Sequence, residues 1–276
     1  MTSNPISTCC ISGFKHEGTP SGRLEPWIET QNGPVEAYIS KPPANKDLKH
    51  GLLFIPDVIG PTSLNAQLLA DTFASQGYTV VIPDLFHGDA IAMNNFANTD
   101  LPKWLQGHYH PSHLPHTPET VDPIVAGSIA KMRGADTGLT KLGGLGYCFG
   151  AKYAVRFLRG DKSDTRPQGE STTAHLDAAF IAHPSFVEES ELSLVAAPLS
   201  IAAAETDAIF TAAHRRRSEE ILAQRGIEEG VAWQINLYGG VSHGFAVRGD
   251  REDRRQRWAM EGAARQAGEW FEVWLR

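Results

Sequence analysis

Short apolar runs alternate with amphipathic segments along most of this chain, the pattern of parallel strands joined by crossover helices. "HGLLFIPDV" (50–58) and "YTVVIPD" (78–84) read as buried strands, and "PVEAYISKP" (34–42) as an earlier, partly exposed one. Between the two buried runs, "SLNAQLLADTFASQG" (63–77) carries apolar residues at helical spacing and ends on a glycine suited to a left-handed cap. The rhythm stops from Leu85 to about Pro118, where prolines, histidines, aromatics and asparagines dominate a stretch too long for an idle connector. This stretch is expected to form a lid or pocket wall.

The alternation resumes with a helix over "PETVDPIVAGSIAKMRG" (118–134), the strand "KLGGLGYC" (141–148) and a helix beginning near Phe149. "RGDKSDTRPQGESTT" (159–173) is polar enough for an exposed or mobile loop. Strands follow at "LDAAFIAHP" (176–184), "APLSIAAAE" (197–205) and "VAWQINLYG" (231–239). Helices are expected over "AIFTAAHRRRSEEILAQRG" (208–226) and the closing "REDRRQRWAMEGAARQAGEWFEVWL". No internal repeat and no linker divides the chain. The expectation is one α/β domain over 1–276, a mostly parallel central sheet flanked by helices on both faces.

Composition narrows the function classes. With 276 residues, 41% hydrophobic and 21% charged, the chain has a globular composition rather than a disordered one. A formal net charge of −7 and the absence of a long basic run argue against nucleic acid or an anionic membrane as partner. No stretch reaches the roughly 18–20 apolar residues needed to span a bilayer, and the first twenty residues lack a secretory signal pattern. A cytoplasmic protein, monomeric or homodimeric, acting on a small molecule is therefore expected. Cys9, Cys10 and Cys148 are too few and too placed for a disulfide framework.

In open α/β sheets the chemistry gathers at the carboxyl ends of the strands. "GLGYCFG" (144–150) ends a buried strand and holds Cys148 between Gly146 and Gly150, the form of a nucleophile elbow on a strained strand-to-helix turn. There the helix N-terminus favours thiolate over thiol. Asp207 follows the strand ending "SIAAAETD", and His243 follows "WQINLYG", so nucleophile, acid and histidine occur in α/β-hydrolase order. In this reading His243 moves the proton and Asp207 holds its tautomer, while Cys148 forms a thioester that water hydrolyses. The backbone N–H of Phe149 supplies one oxyanion donor, and Val58, after "GLLFIPD", is expected to supply the other. Each residue also has a structural alternative: Cys148 as core filler, Asp207 as a helix N-cap, His243 as a loop histidine.

These residues resemble the dienelactone hydrolase family, cysteine-dependent members of the α/β-hydrolases. "GYCFG" is similar to the family's nucleophile motif, "ETDAIF" to its acid motif and "SHGFAVRGD" to its histidine motif. "IPDVIG" and "VIPDLFHGD" match its strand-end motifs, and the opening "CCISGFKHEGTPSGR" resembles fungal and other eukaryotic members, in which Cys9, Cys10 and His16 would be family structure. The resemblance implies an α/β-hydrolase fold, an ester or lactone substrate and no cofactor. It also implies that Asp57 stands where bacterial members carry a glutamate that switches the thiol to thiolate. Of the two arginines that clamp a dienelactone carboxylate in bacterial members, the first position falls at Gly88, beside His87, and the second is represented by Arg248, one residue late. A neutral, bulkier ester or lactone is therefore expected beside the dienelactone reading. "AHPSF" (182–186) would put His183 near the pocket, and Phe86, Trp104 and Tyr109 would form an apolar wall for a larger substrate.

Four histidines in "WLQGHYHPSHLPHTP" (104–118) match no standard zinc spacing, and no metal is expected there. Two other functions fit the same residues. One is a biosynthetic relative performing lactonisation, isomerisation or polyketide thioester release; the other is a binding protein that keeps the fold without catalysis.

Overall fold

The computed structural model describes residues 1–159 and 175–276; the polar segment expected to be an exposed loop (159–173) lies almost wholly outside them. The strands are β1 (Arg23–Thr30), β2 (Gly33–Ser40), β3 (His50–Ile55), β4 (Tyr78–Pro83), β5 (Lys141–Tyr147), β6 (Ala178–Ala182), β7 (Leu199–Thr206) and β8 (Trp233–Ser242). They form one sheet in the order β1-β2-β4-β3-β5-β6-β7-β8. From β4 to β8 every pairing is parallel, whereas β1 and β2 form an antiparallel hairpin whose second strand runs antiparallel to β4. The helices are α1 (Leu64–Ser75), α2 (Leu101–Leu105), α3 (Pro118–Met132), α4 (Phe149–Arg156), α5 (Glu189–Leu192), α6 (Ala212–Glu229), α7 (Phe245–Arg248) and α8 (Arg254–Trp274).

The continuous apolar runs exist because both faces of the sheet are covered. Successive side chains of a strand point to opposite faces, and the two cores separate by that parity. Leu53, Ile55, Val81, Ile181 and Ile201 belong to one, with Ile124 of α3 and Tyr153 of α4. Leu52, Phe54, Val80, Ile82 and Phe180 belong to the other, with Phe73 of α1 and Phe271 of α8. The helices are capped as their sequences suggest. Ser63 accepts from Ala66 N at the start of α1, Asp253 from Arg255 N and Gln256 N at the start of α8, and Gly230 closes α6 in the left-handed region.

β1 escaped the sequence reading. "RLEPWIET" carries a proline and alternates only weakly between half-buried and exposed positions, because it is the edge of the sheet, and its register slips between Pro26 and Ile28. The expected lid segment contains only the short α2, but much of it is packed inward. Phe86, Trp104, His116 and Phe149 form one aromatic cluster, with centroid separations of 5.0 Å for Phe86–Trp104, 4.3 Å for Trp104–His116 and 5.2 Å for Phe86–Phe149. The strand order, with its antiparallel hairpin and parallel remainder, is the α/β-hydrolase arrangement anticipated above.

Candidate active site

Cys148 is the residue between β5 and α4, with φ 51° and ψ −110°, a conformation that L-residues hold only when the surroundings impose it. Those surroundings are the two glycines. A Cβ on Gly150 would lie 2.0 Å from the Ile55 carbonyl oxygen, and one on Gly146 would lie 2.8 Å from the Ala151 Cα. Without side chains at both, α4 packs directly on the ends of β3 and β5, and its N-terminus carries the Cys148 thiol. α4 runs from Phe149, so the Phe149 N–H is among its free leading amides. Among the described residues neither this amide nor that of Val58 donates to a protein acceptor. Both are thus available to a developing oxyanion.

Asp207 and His243 directly follow β7 and β8. The Asp207 carboxylate accepts from Ile209 N (2.8 Å) and Phe210 N (3.0 Å), which fixes its orientation. It receives His243 Nδ1 at 2.9 and 3.1 Å. Because a carboxylate only accepts, Nδ1 carries a proton and Nε2 faces the sulfur of Cys148 at 3.2 Å. The three candidate triad residues are therefore brought together in a single chain of contacts. Burial alone would push the Cys148 thiol up, but hydrogen bonding from Cys10 and the charge of His243 hold it well below the ordinary thiol range. Burial would likewise push His243 down, yet the Cys148 thiolate and the Asp207 carboxylate raise it. Both shifts favour the thiolate–imidazolium form of the pair.

An Asp207→Asn change follows from this electrostatics. The carboxylate supports the imidazolium, so its loss lowers the pH at which His243 deprotonates. The alkaline limb of kcat/KM against pH is expected to move down by about 1–2 pH units. A pH profile of the variant with an unmoved alkaline limb would contradict the assignment of that limb to His243.

Asp57 was expected as the thiol switch and Arg248 as part of a substrate clamp. They form an ion pair with each other, both side chains 1% exposed. Arg248 Nε also donates to the Ser12 carbonyl at 2.9 Å, and Asp57 accepts from Ile59 N at 3.0 Å. Burial pushes the Asp57 carboxyl up while Arg248 opposes it. His183 is fully buried at the end of β6 with φ 38°, its ring 4.9 Å from that of His243. Burial, together with the His243 and Arg248 charges, pushes it down to about 4, so it packs as a neutral ring. Phe86 and Trp104 lie inside the aromatic cluster beneath Phe149. His87 directly follows Phe86, and its carbonyl accepts from His110 Nε2 at 3.2 Å. Tyr109 is 43% exposed, and its hydroxyl accepts from Asp100 N at 3.2 Å. Gly88, at the first arginine position of the bacterial pattern, is exposed with φ +89°.

The sequence reading passed over Ser185 and assigned Cys9 and Cys10 no role in the site. Ser185 Oγ lies 3.4 Å from Cys148 Sγ and 4.0 Å from Cys10 Sγ. Cys10 Sγ lies 3.6 Å from His243 Nε2. The amino-terminal arm is stitched over the strand ends by Thr2 N and Ser3 N to the Val187 carbonyl, and by Asn4 N to that of Ile209. The signal for Ser185 was present in "AHPSF", directly after a strand; the arm offered none, since its contacts span more than 180 residues of sequence. Beside His243 and Arg248, a cavity of 290 Å³ opens between residues 12–14 and 240–249. A larger groove of 700 Å³, lined by Glu29, Asp122 and Arg156, contains no member of the triad.

No helix among the described residues is long and apolar enough to cross a membrane. Comparison with known proteins agrees with the geometry. The chain is 44% identical over its full length to the hydrolase tropI of Talaromyces stipitatus, covering 99% of that protein, and 40% identical to the hydrolase pyvD of Aspergillus violaceofuscus, with both chains covered in full. Its fold resembles a crystal structure described as a putative dienelactone hydrolase from Klebsiella pneumoniae, with a TM-score of 0.65, 16% identity, and coverage of 91% of this chain and 99% of the other. The sequence pattern of the dienelactone hydrolase family matches residues 35–275, a span that takes in Cys148, Asp207 and His243. An α/β-hydrolase sheet with these side chains at its strand ends, matched over nearly its whole length, places the chain in the dienelactone hydrolase family.

Proposed function

We propose that this hydrolase cleaves a neutral ester or lactone through a Cys148 thioester. The observation that carries the reading is His243, which links the Asp207 carboxylate to the Cys148 sulfur across 2.9 and 3.2 Å contacts. The thiolate attacks the acyl carbon, and the oxyanion is held by the amides of Phe149 and Val58. As the tetrahedral species collapses, the imidazolium gives its Nε2 proton to the departing alkoxide, leaving a thioester on Cys148. Neutral His243 then takes a proton from water, whose oxygen attacks the thioester, and the carboxylic acid leaves as the thiolate returns. Opening a lactone keeps the alcohol attached to the acid, with the same proton accounting.

The preference for a neutral substrate rests on the pairing of Arg248 with Asp57. A guanidinium already neutralised by a buried carboxylate offers little charge to a substrate anion, and Gly88 stands at the other arginine position, the first of the bacterial pattern. The ratio of kcat/KM for a neutral aryl ester to that for a carboxylate-bearing dienelactone is expected to exceed 10, with Cys148→Ala as the blank. A ratio below one would show that Arg248 still serves an anion site and that a dienelactone is the better substrate.

A further inference from the structure

Three sulfur or nitrogen ligands of soft metals meet where the arm covers the site. Cys9 Sγ, Cys10 Sγ and His243 Nε2 all lie within 4.8 Å of one another. The 3-10 turn at Thr8–Cys10 sets the two adjacent cysteines, and Ser7 Oγ contacts Cys9 Sγ at 3.1 Å. Tetrahedral zinc takes thiolate at about 2.3 Å and imidazole at about 2.0–2.1 Å, which puts a bound sulfur and nitrogen about 3.5 Å apart. Cys10 Sγ and His243 Nε2 are 3.6 Å apart. Two thiols and an imidazole are the donor set of zinc-class ions rather than of magnesium or calcium. The second imidazole nitrogen is held by Asp207, the carboxylate–histidine arrangement that orients metal-bound histidines and raises their basicity.

We infer that Cys9, Cys10 and His243 form a binding site for a zinc-class divalent cation, and that its occupancy silences the catalytic pair. Binding releases to solvent the thiol protons of Cys9 and Cys10 and the Nε2 proton of the His243 imidazolium, whose freed lone pair then ligates the ion. The fourth position is left to water or to Cys148 Sγ, 3.2 Å from the same nitrogen. With Nε2 ligated, His243 can neither hold nor deliver the proton that acyl transfer requires. The ion is thus an inhibitor and not a cofactor. The inhibitory part rests on the catalytic reading given above; the binding part rests on geometry alone.

The test separates the two. The full-length reduced protein, stripped of metal, is titrated with Co²⁺, whose tetrahedral thiolate complexes show sulfur-to-metal charge transfer in the near ultraviolet, and Zn²⁺ is then added to displace it. We expect charge-transfer and visible bands that saturate at one equivalent and are erased by Zn²⁺. Cys9→Ser, at a partly exposed position, should remove about half of the charge-transfer intensity and weaken Zn²⁺ binding tenfold or more. The Cys9→Ser/Cys10→Ser protein should lose the band, while Cys148→Ala should retain it. Absence of the band in the wild type, or its survival in the double variant, overturns the site; the second result would place the metal on Cys148, the one remaining thiolate. The inhibitory part requires that Zn²⁺ abolish ester turnover at the same single equivalent, that a chelator restore it, and that Cys9→Ser raise the half-inhibiting concentration tenfold or more. Full turnover with the site occupied overturns that part even if binding is present.

Discussion

Replacing Cys148 with alanine is expected to lower kcat/KM by on the order of 10⁴-fold or more, and to abolish any covalent acyl-enzyme. The variant keeps the imidazole, its carboxylate and the Phe149 and Val58 amides, so the residual rate measures what positioning and electrostatics supply without a nucleophile. One feature of the site makes the control demanding. Cys10 Sγ lies 3.6 Å from the same imidazole nitrogen and could accept an acyl group in place of Cys148. The measurement is therefore made on Cys148→Ala and on Cys148→Ala/Cys10→Ala, with turnover read beside the intact mass of protein quenched during reaction. Wild type should gain the mass of the acyl group, and neither variant should. An adduct that persists in Cys148→Ala but disappears in the double variant would move the nucleophile to Cys10. Unchanged turnover in Cys148→Ala would end the covalent reading altogether.

The interior of this fold was legible in the sequence because burial on both faces leaves a local record. β3, β4, β6 and the first part of β7 are nearly continuous apolar runs, and each ends close to a residue of chemical interest. Strand ends and chain order together bring Cys148, Asp207 and His243 to one rim, so the candidate triad could be read without a structure. Edge strand β1 left a weak record because only part of it is covered. Cys10 was invisible as a neighbour of Cys148 for a different reason. Its position depends on the arm folding back across the sheet, a contact with no local periodicity. Arg248 shows the limit most clearly. Its presence was readable and its family role inferable, but its partner Asp57, 191 positions away, is a fact of three-dimensional packing.

That pair gives the largest expected change in stability. Asp57→Ala leaves the Arg248 guanidinium buried with only carbonyl acceptors and should cost about 3–5 kcal/mol, a fall in Tm of roughly 10 °C for a chain of this size. The opposite change should be milder. In Arg248→Met the abandoned Asp57 carboxyl, already pushed up by burial, can take a proton and become neutral, an escape closed to a guanidinium. The Asp57→Ala/Arg248→Met protein removes both charges, and it should recover part of what Asp57→Ala loses. Denaturant unfolding of the four proteins checks this, with the coupling read from the cycle. A coupling near zero would mean that the two charges do not depend on each other, and Arg248 would then be free to meet a substrate anion. A large coupling would mean that the carboxylate needed by Arg248 is supplied by the protein, which is the condition under which a neutral ester or lactone is the substrate that fits.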